Sequence, residues 1–463
     1  MISYDVLVIG SGPAGHKAAI RAAKSGKKVA VVERKICVGG VSVNTGTIPS
    51  KTFREAVLYL SGFRQRAVYG QSYTLKKSVT IADLNQRVQH VVKNEVEVLN
   101  AQFRRNGVDV IPGRASFVDP HTIKVDGADG AIEIAAATII LAVGARPAHS
   151  DSFAVDGETI VDTESFYAMP QLPKTLIVVG GGVIGVEYAT MAATVGVAVT
   201  VIETRPTILD FIDREVVEAL TYHMRQAGIT LRLGEEVTDV KRTPSGKVAA
   251  ITKSHKEIAA DAVLYAVGRQ GNTDGLALEN AGLDADTRGR IAVNEHFQTK
   301  VPHIYAVGDI IGFPSLASVS SEQGRLAACH ALGIATRGLS SLFPYGIYTI
   351  PEISYVGSTE EELTDAGIPY ETGIARYREI ARGQILGDDA GLLKLLFHRE
   401  KKTLLGVHII GEGASELVHI GQAVIAFGGT IDYFVDTVFN YPTLAECYKV
   451  AALAGVNKLA AMS

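Results

Sequence analysis

Two short glycine-rich turns carry the first chemical signal in this sequence. Residues 10–15 read Gly10-Ser11-Gly12-Pro13-Ala14-Gly15 and follow an apolar run from Asp5 to Ile9. Residues 180–185 read Gly180-Gly181-Gly182-Val183-Ile184-Gly185 and follow Leu176 to Val179. In both copies a helical stretch comes next, then a second apolar run, Val29–Val32 or Ala198–Ile202. Each run closes on a glutamate, Glu33 or Glu203, 23 positions after the first glycine. These residue types suit a dinucleotide. The first glycine permits a tight strand-to-helix turn, the second lets the backbone approach a pyrophosphate, and the third lets helix and strand pack closely. The helix start, here Pro13-Ala14 and Val183-Ile184, offers free N–H groups and partial positive charge to phosphates. The closing carboxylate accepts hydrogen bonds from ribose hydroxyls. One such turn alone is also an ordinary glycine loop; the reading rests on two copies in the same strand–helix–acid order. Neither copy continues into Gly-Lys-Ser/Thr, which excludes a Walker-type phosphate loop.

The elements that must position these turns can be read around them. Pro49 is expected to open a helix running to about Tyr69, proline being well placed at a first helical position. Asp83 is expected to cap a second helix with Leu84, Val88, Val91, Leu99 and Phe103 apolar, stopped by Arg104, Arg105 and Gly107. Residues 138–147 read as a buried strand running into a turn. Residues 261–269 repeat that pattern after the second dinucleotide fold, so both are candidate crossings between domains. Residues 303–309 read as a strand ending at Gly308-Asp309, with a helix after about Ser318. From about Pro344 the strands and helices continue without a phosphate loop. Alternating strands and helices of this kind predict an α/β protein with two Rossmann-like folds.

The bulk numbers agree. A chain of 463 residues suggests about three domains at roughly 100–200 residues each. Hydrophobic residues make up 47% and charged residues 20%, ordinary globular usage. With 45 Lys+Arg against 49 Asp+Glu, the net charge is −4. There is no basic field for nucleic acid or an anionic membrane. No long uncharged apolar stretch argues for a transmembrane helix. The early first strand leaves no room for a targeting peptide, and three scattered cysteines (Cys37, Cys329, Cys447) fit a reduced cytoplasm. His408 and His419 lack partner spacing, so no metal site is expected. No Gly-x-Ser-x-Gly elbow supports a serine hydrolase.

Along its whole length the chain resembles the pyridine nucleotide–disulfide oxidoreductase family. The carrying motifs are Gly10 to Glu33, Gly39-Gly40 with Gly46-Thr47-Ile48-Pro49-Ser50-Lys51, Gly180 to Glu187, and Tyr305-Ala306-Val307-Gly308-Asp309. The resemblance implies an FAD-binding domain at 1–150 and 272–343. It places an NAD(P)-binding domain at 151–271 and a C-terminal α+β dimerisation domain at 344–463. FAD would be held by Gly10, Gly12, Pro13, Ala14, Gly15, Glu33, Arg34, Gly40, Val41, Thr47, Lys51, Gly144, Asp309 and Ala317, with Asp309 on the ribitol chain. NAD(P) would be held by Gly180, Gly182, Val183, Ile184, Gly185, Glu203, Arg205 and Gly268. Lys51 and Glu187 match the family's catalytic ion pair beside flavin N5; the plainer alternative for them is a buried structural pair. The partners implied are NADPH and NADH and a second copy of the chain, with higher assembly open.

The departures are as informative. Family disulfide reductases carry Cys-x4-Cys before Ile-Pro-Ser-Lys; here those places are Ser42 and Thr47. They carry His-Pro…Glu near the C-terminus; here it is Tyr441-Pro442 with Glu446 retained. Hydroxyls do not ionise near neutral pH as thiols do, and tyrosine, with a reference pKa near 10, is a poor base there. Three missing parts of one relay point to a different reaction. Within the family the pattern looks like the soluble, Si-specific pyridine nucleotide transhydrogenases. They share Gly-Thr-Ile-Pro-Ser-Lys, Phe-Asn-Tyr-Pro-Thr at 439–443, Phe313 to Ala317 and Gly346 to Glu352, although they usually retain Cys at the place of Ser42. That implies a soluble flavoprotein passing hydride between NADPH and NAD through FAD, with no redox-active disulfide. Glu203 suits the 2′-hydroxyl of NAD; Arg205 would meet the 2′-phosphate of NADP if its side chain swings over the ribose. The alternatives are an NAD(P)H oxidase or diaphorase, a dihydrolipoyl dehydrogenase-like enzyme, and a non-catalytic flavin redox sensor.

Overall fold

The computed structural model describes residues 2–462 apart from Gln71, Asp151 and Ser245. It divides into two compact units: Met1–Phe53, Asn85–Ala148 and Gly268–Ser340 form the first, and Arg54–Leu84, His149–Val267 and Ser341–Ser463 the second.

In the first unit the run Val6-Leu7-Val8-Ile9 is buried on both sheet faces, as a central parallel strand requires. Ile2–Ile9 lies between Val29–Glu33 and Gly130–Leu141, parallel to both, with Val8 opposite Val31 and Ile140. Asp109–Pro112 extends the Val29 side. On the other side Gly130–Leu141 pairs with Ile304–Ala306 and, antiparallel, with Thr122–Gly127, which pairs Arg114–Asp119. Strand order therefore reverses at Ile2–Ile9, where an open α/β sheet leaves a crevice at its carboxyl end. Helix Pro13–Ala23 packs on helix Ala317–Ala331 through small residues: a Cβ on Gly324 would overlap the Ala14 carbonyl.

The second unit repeats the parallel arrangement. Its strands run in the order Thr230–Leu233, Ala198–Glu203, Thr175–Val179, Ala262–Tyr265 and Ile160–Val161. A three-stranded antiparallel sheet, Val237–Arg242, Val248–Thr252 and Glu257–Ala260, follows. A five-stranded antiparallel sheet, in the order Tyr345–Ile347, Ile353–Gly357, Leu404–Ile410, Leu392–His398 and Tyr370–Arg376, carries the C-terminal part.

Two local expectations are corrected. The helix read from Pro49 to Tyr69 begins at Thr47 and ends at Ser61, because Gly62 turns left-handed (φ 65°); a 3-10 turn and the short helix Arg66–Tyr69 follow. Asp83 is not the cap of its helix. Thr80 precedes Ile81–Arg105, and its N–H and hydroxyl donate to Asp83 Oδ2 at 2.9 and 2.7 Å while Asp83 N–H donates back at 3.2 Å. The pair forms a reciprocal capping box. The segment 138–147 is a strand running into a turn as expected: the strand ends at Leu141, and after the turn Ala145–Pro147 pairs antiparallel with Arg269–Gly271. The two candidate crossing segments thus bond to each other.

A charged cluster joins parts of the second unit. The Lys394 side chain is 1% exposed in the middle of an apolar strand, with Nζ at 2.9 and 3.0 Å from the Asp213 carboxylate oxygens. Glu215 lies at 3.2 Å and Glu360 also contacts it. Asp213 in turn caps helix Arg214–Gln226. Removing one partner of such a pair leaves the other charge buried and uncompensated. Lys394→Met should therefore destabilise the second unit by about 3–5 kcal/mol in urea unfolding, with Asp213→Asn in the same chain recovering part of the loss.

In the first unit His16 is 4% exposed on helix Pro13–Ala23, edge-on to Phe103 at 5.0 Å. Burial, aided by the Lys17 charge, pushes its imidazole down to about 4. The unfolded chain takes up the proton first, so the neutral ring stabilises the fold fully above about pH 6.5 and this is lost as pH falls through about 4. His16→Leu should flatten the fall in thermal midpoint across that window; an unchanged slope would remove His16 from the acid response.

Candidate functional site

In the first unit Gly10 has φ 102°, and a Cβ there would overlap the Ala142 carbonyl oxygen at the end of the neighbouring strand. A Cβ on Gly15 would overlap the Gly10 carbonyl. Gly12 sits back to back with Gly40, whose Cβ would lie 2.9 Å from the Gly12 Cα. Helix Pro13–Ala23 starts on Gly12 with no side-chain cap, so its first N–H groups have no side-chain acceptor there. Glu33 is buried. Its Oε2 accepts from Ser11 N–H at 3.0 Å and Ser11 Oγ at 2.5 Å, and its Oε1 from Lys35 N–H at 2.9 Å. Ser11 Oγ accepts from Gly39 N–H at 3.0 Å, drawing the Gly39-Gly40 turn onto the first one.

The other residues expected around this turn fall in the same unit. Arg34 and Thr47 are exposed; Val41, Ser42, Lys51, Gly144 and Ala317 are half-buried. Thr47 and Lys51 lie on helix Thr47–Ser61, and Ala317 opens helix Ala317–Ala331. Gly144 turns left-handed and its carbonyl accepts from Asn272 N–H at 3.0 Å. Gly308, beside Asp309, lies against Ala14: a Cβ there would stand 3.3 Å from the Ala14 Cβ. Burial raises the Asp309 carboxyl pKa, and Arg269, its Nε 3.7 Å from Oδ2, pulls the other way. Arg269 Nη2 donates to the Ala145 carbonyl at 2.6 Å. Sequence reasoning missed this arginine. The signal was available, since Ala-Val-Gly is followed by an arginine in both crossing segments, Arg146 and Arg269.

In the second unit Gly180 has φ 110°, and its Cβ would lie 2.6 Å from the Ala266 carbonyl oxygen. Gly185 packs on the Gly180 carbonyl as Gly15 does on Gly10, and Gly182 faces open space. Helix Val183–Thr194 again has no side-chain cap, and Val183 and Ile184 are half-buried at its start. Gly268 is grouped with the first unit rather than with these residues.

Glu187 is 3% exposed on that helix, and its Oε1 accepts from Tyr348 N–H at 2.8 Å. One turn on, Thr190 Oγ1 accepts from Ile350 N–H at 3.2 Å. Arg54, buried on the Thr47–Ser61 helix, donates to the Thr349 carbonyl at 3.0 Å and pairs with Glu352 at 3.4 Å. Segment Tyr348–Glu352 is thereby fixed residue by residue. Tyr441 is 67% exposed. Glu446 opens helix Glu446–Met462 with a buried Oε2 that has no hydrogen-bond partner.

Glu203 differs from Glu33. Its Oε2 accepts from Gly181 N–H at 2.6 Å and Arg205 Nη2 at 3.0 Å. Its Oε1 accepts from Thr204 Oγ1, Arg205 N–H and Arg205 Nε at 3.0, 2.9 and 3.0 Å. Burial raises the carboxyl pKa, but the Arg205 guanidinium and the backbone donors outweigh it and hold it at about 2. Arg205, expected over a ribose, is folded back onto Glu203 instead, with Nη1 on Asp210 Oδ1 at 2.5 Å.

A family model described as pyridine nucleotide-disulphide oxidoreductase matches residues 4–324, and its dimerisation domain matches 343–452. A protein named soluble pyridine nucleotide transhydrogenase from Mycobacterium tuberculosis is 56% identical over 100% of this chain and 99% of its own. One of the same name from Escherichia coli is 45% identical over 98% of each. Among solved structures, LpdA from Mycobacterium tuberculosis superposes with TM-score 0.89 at 28% identity, covering 98% of this chain and 99% of that one. The HOCl-induced flavoprotein disulfide reductase RclA from Escherichia coli superposes with TM-score 0.87 at 27% identity, covering 97% and 99%. Matched by both family models across most of its length, with two glycine turns of one geometry inside the first match, this chain belongs to the pyridine nucleotide-disulphide oxidoreductase family.

Proposed function

We propose that this chain transfers hydride between NADPH and NAD by way of bound FAD, with no thiol relay. The observation that carries the reading is an intact pair of dinucleotide turns beside a dismantled disulfide apparatus. Ser42, Thr47 and Tyr441 stand where the family's disulfide reductases place two cysteines and a histidine. Cys37 is exposed, and Cys329 and Cys447 are buried; all three are free thiols. The names of the full-length relatives support the same reading, and the dimerisation-domain match supports self-association. The word soluble in those names also suits the cytoplasmic location proposed from the cysteine usage.

The residues fit an FAD. The uncapped start of helix Pro13–Ala23 suits a pyrophosphate. Glu33 accepts three hydrogen bonds, and a carboxylate has about four acceptor places, so one remains for a ribose hydroxyl. Asp309 is desolvated with an arginine just beyond hydrogen-bond range, a carboxylate short of donors that a polyol chain would supply. When bound, the flavin would supply a resident two-electron acceptor and donor of hydride, which no side chain of this chain provides. The protein's part is to orient and polarise. Lys51 brings a positive charge on a helix whose Arg54 is held to Thr349, and Glu187 is oriented by the Tyr348 N–H that its Oε1 accepts. The net exchange breaks one C4–H bond in NADPH and forms one in NADH, so no proton is released and no base is required at Tyr441.

The direct test is an anaerobic assay of purified protein with NADPH and thio-NAD. Steady formation of thio-NADH is expected; flavin reduction by NADH alone, with none by NADPH, would move a diaphorase or NADH oxidase to first place. Lipoamide and glutathione disulfide should turn over at no more than background, and brisk lipoamide reduction at neutral pH would end the no-relay reading. Lys51→Met should keep FAD and slow flavin reduction by about 10²-fold, the scale of losing one preorganised charge or donor. Unchanged stopped-flow rates would make Lys51 structural.

A further inference from the structure

In the second dinucleotide fold the acid at the end of the second strand is already spent. Glu203 receives five donors from its own chain, two on Oε2 and three on Oε1. A carboxylate offers about four lone-pair places, so a ribose hydroxyl has none left to take. Recognition at this edge therefore passes to Arg205. Its Nε and Nη2 grip Glu203 side-on, which leaves the end of the guanidinium fork as the face able to meet an anion. That end is taken by Asp210 through Nη1. The Glu203 side chain is 5% exposed, Asp210 47%. An incoming phosphate would displace Asp210 and leave Glu203 in place.

Asp210 is held there by the loop. Leu209 N–H donates to the Gly181 carbonyl at 3.2 Å, and the side chain of Leu209 is fully buried. Its φ is 47°, a left-handed backbone that a non-glycine residue adopts only when its surroundings enforce it. Ile208, also buried, lies where a Cβ on Gly181 would be, 2.9 Å from its Cγ2. The glycine turn and the Asp210 loop are one packed piece.

We propose that Asp210 sets the nicotinamide selectivity of this chain by competing with the 2′-phosphate of NADP(H) for the free end of Arg205. NAD(H), which lacks that phosphate, leaves the Glu203–Arg205–Asp210 group intact; NADP(H) exchanges one carboxylate for another anion on the same guanidinium. This rests on the transhydrogenase reading, since both nucleotides must use the site.

The test is anaerobic stopped-flow reduction of the bound flavin by NADPH and by NADH, in the full-length protein, its Asp210→Asn variant, Arg205→Ala and the double variant. In Asp210→Asn the half-saturation constant for NADPH should fall relative to that for NADH by about two- to fivefold, the range of one exposed ion pair. The gain should shrink as salt rises and vanish in the Arg205→Ala background. An unchanged NADPH-to-NADH ratio overturns the assignment. So does a gain that persists without Arg205, which would mean direct repulsion of the phosphate. If the unaltered protein's flavin is reduced by NADH and not by NADPH, the transhydrogenase reading itself fails, a different outcome from a reduced flavin with an unmoved ratio.

Discussion

Both nucleotide folds depend on one contact: the first glycine of each turn pressed against a carbonyl at the end of the neighbouring parallel strand. Gly10 lies on the Ala142 carbonyl and Gly180 on that of Ala266, with φ of 102° and 110°. No side chain fits in that space. The contact forces the chain to turn at the carboxyl end of the central strand, where strand order reverses and a crevice opens. The third glycine then seats the helix on the first glycine's carbonyl, so the helix start faces the crevice. What differs between the copies is what surrounds the closing acid. Glu33 retains acceptor capacity; Glu203 is saturated by Gly181, Thr204 and Arg205. In the proposed reaction one scaffold would serve as a holding site in the first unit and as an exchangeable one in the second.

The strands and turns were legible because their signals are local. Val6 to Ile9 and Leu176 to Val179 are continuous apolar runs, and glycine spacing marks the turn after each. Helix ends were less so. Gly62 breaks a helix whose apolar pattern runs on to Tyr69, and Thr80 rather than Asp83 caps the next, since either residue type suits a capping box. The pairing of Ala145–Pro147 with Arg269–Gly271 joins segments more than a hundred residues apart. Their shared Ala-Val-Gly pattern hinted at kinship, and nothing local announced that they bond to each other.

Side-chain partnerships at the site were the least legible. Arg205 stands two residues from Glu203, close enough to suggest a phosphate ligand, and the same closeness lets it fold back into a side-on ion pair. Charged residues in a sequence read as solvated unless a partner is known. Nothing local marks a lysine in an apolar strand as paired, yet Lys394 is buried against Asp213, 181 positions away. Glu187 was legible as a motif residue, but its fixation by the Tyr348 N–H depends on a segment 161 positions on. Such long-range polar pairs pin buried charges, and their cost when broken is what makes their geometry specific.

In the proposed reaction two nicotinamides exchange at one site by way of the flavin. Initial rates over a matrix of NADPH and thio-NAD concentrations, in purified protein without oxygen, test it most directly. Double-reciprocal plots should give parallel lines, the pattern of one product leaving before the second substrate binds. Lines that intersect would require both nucleotides bound together, which a single second-unit site centred on Gly182 and Arg205 does not allow.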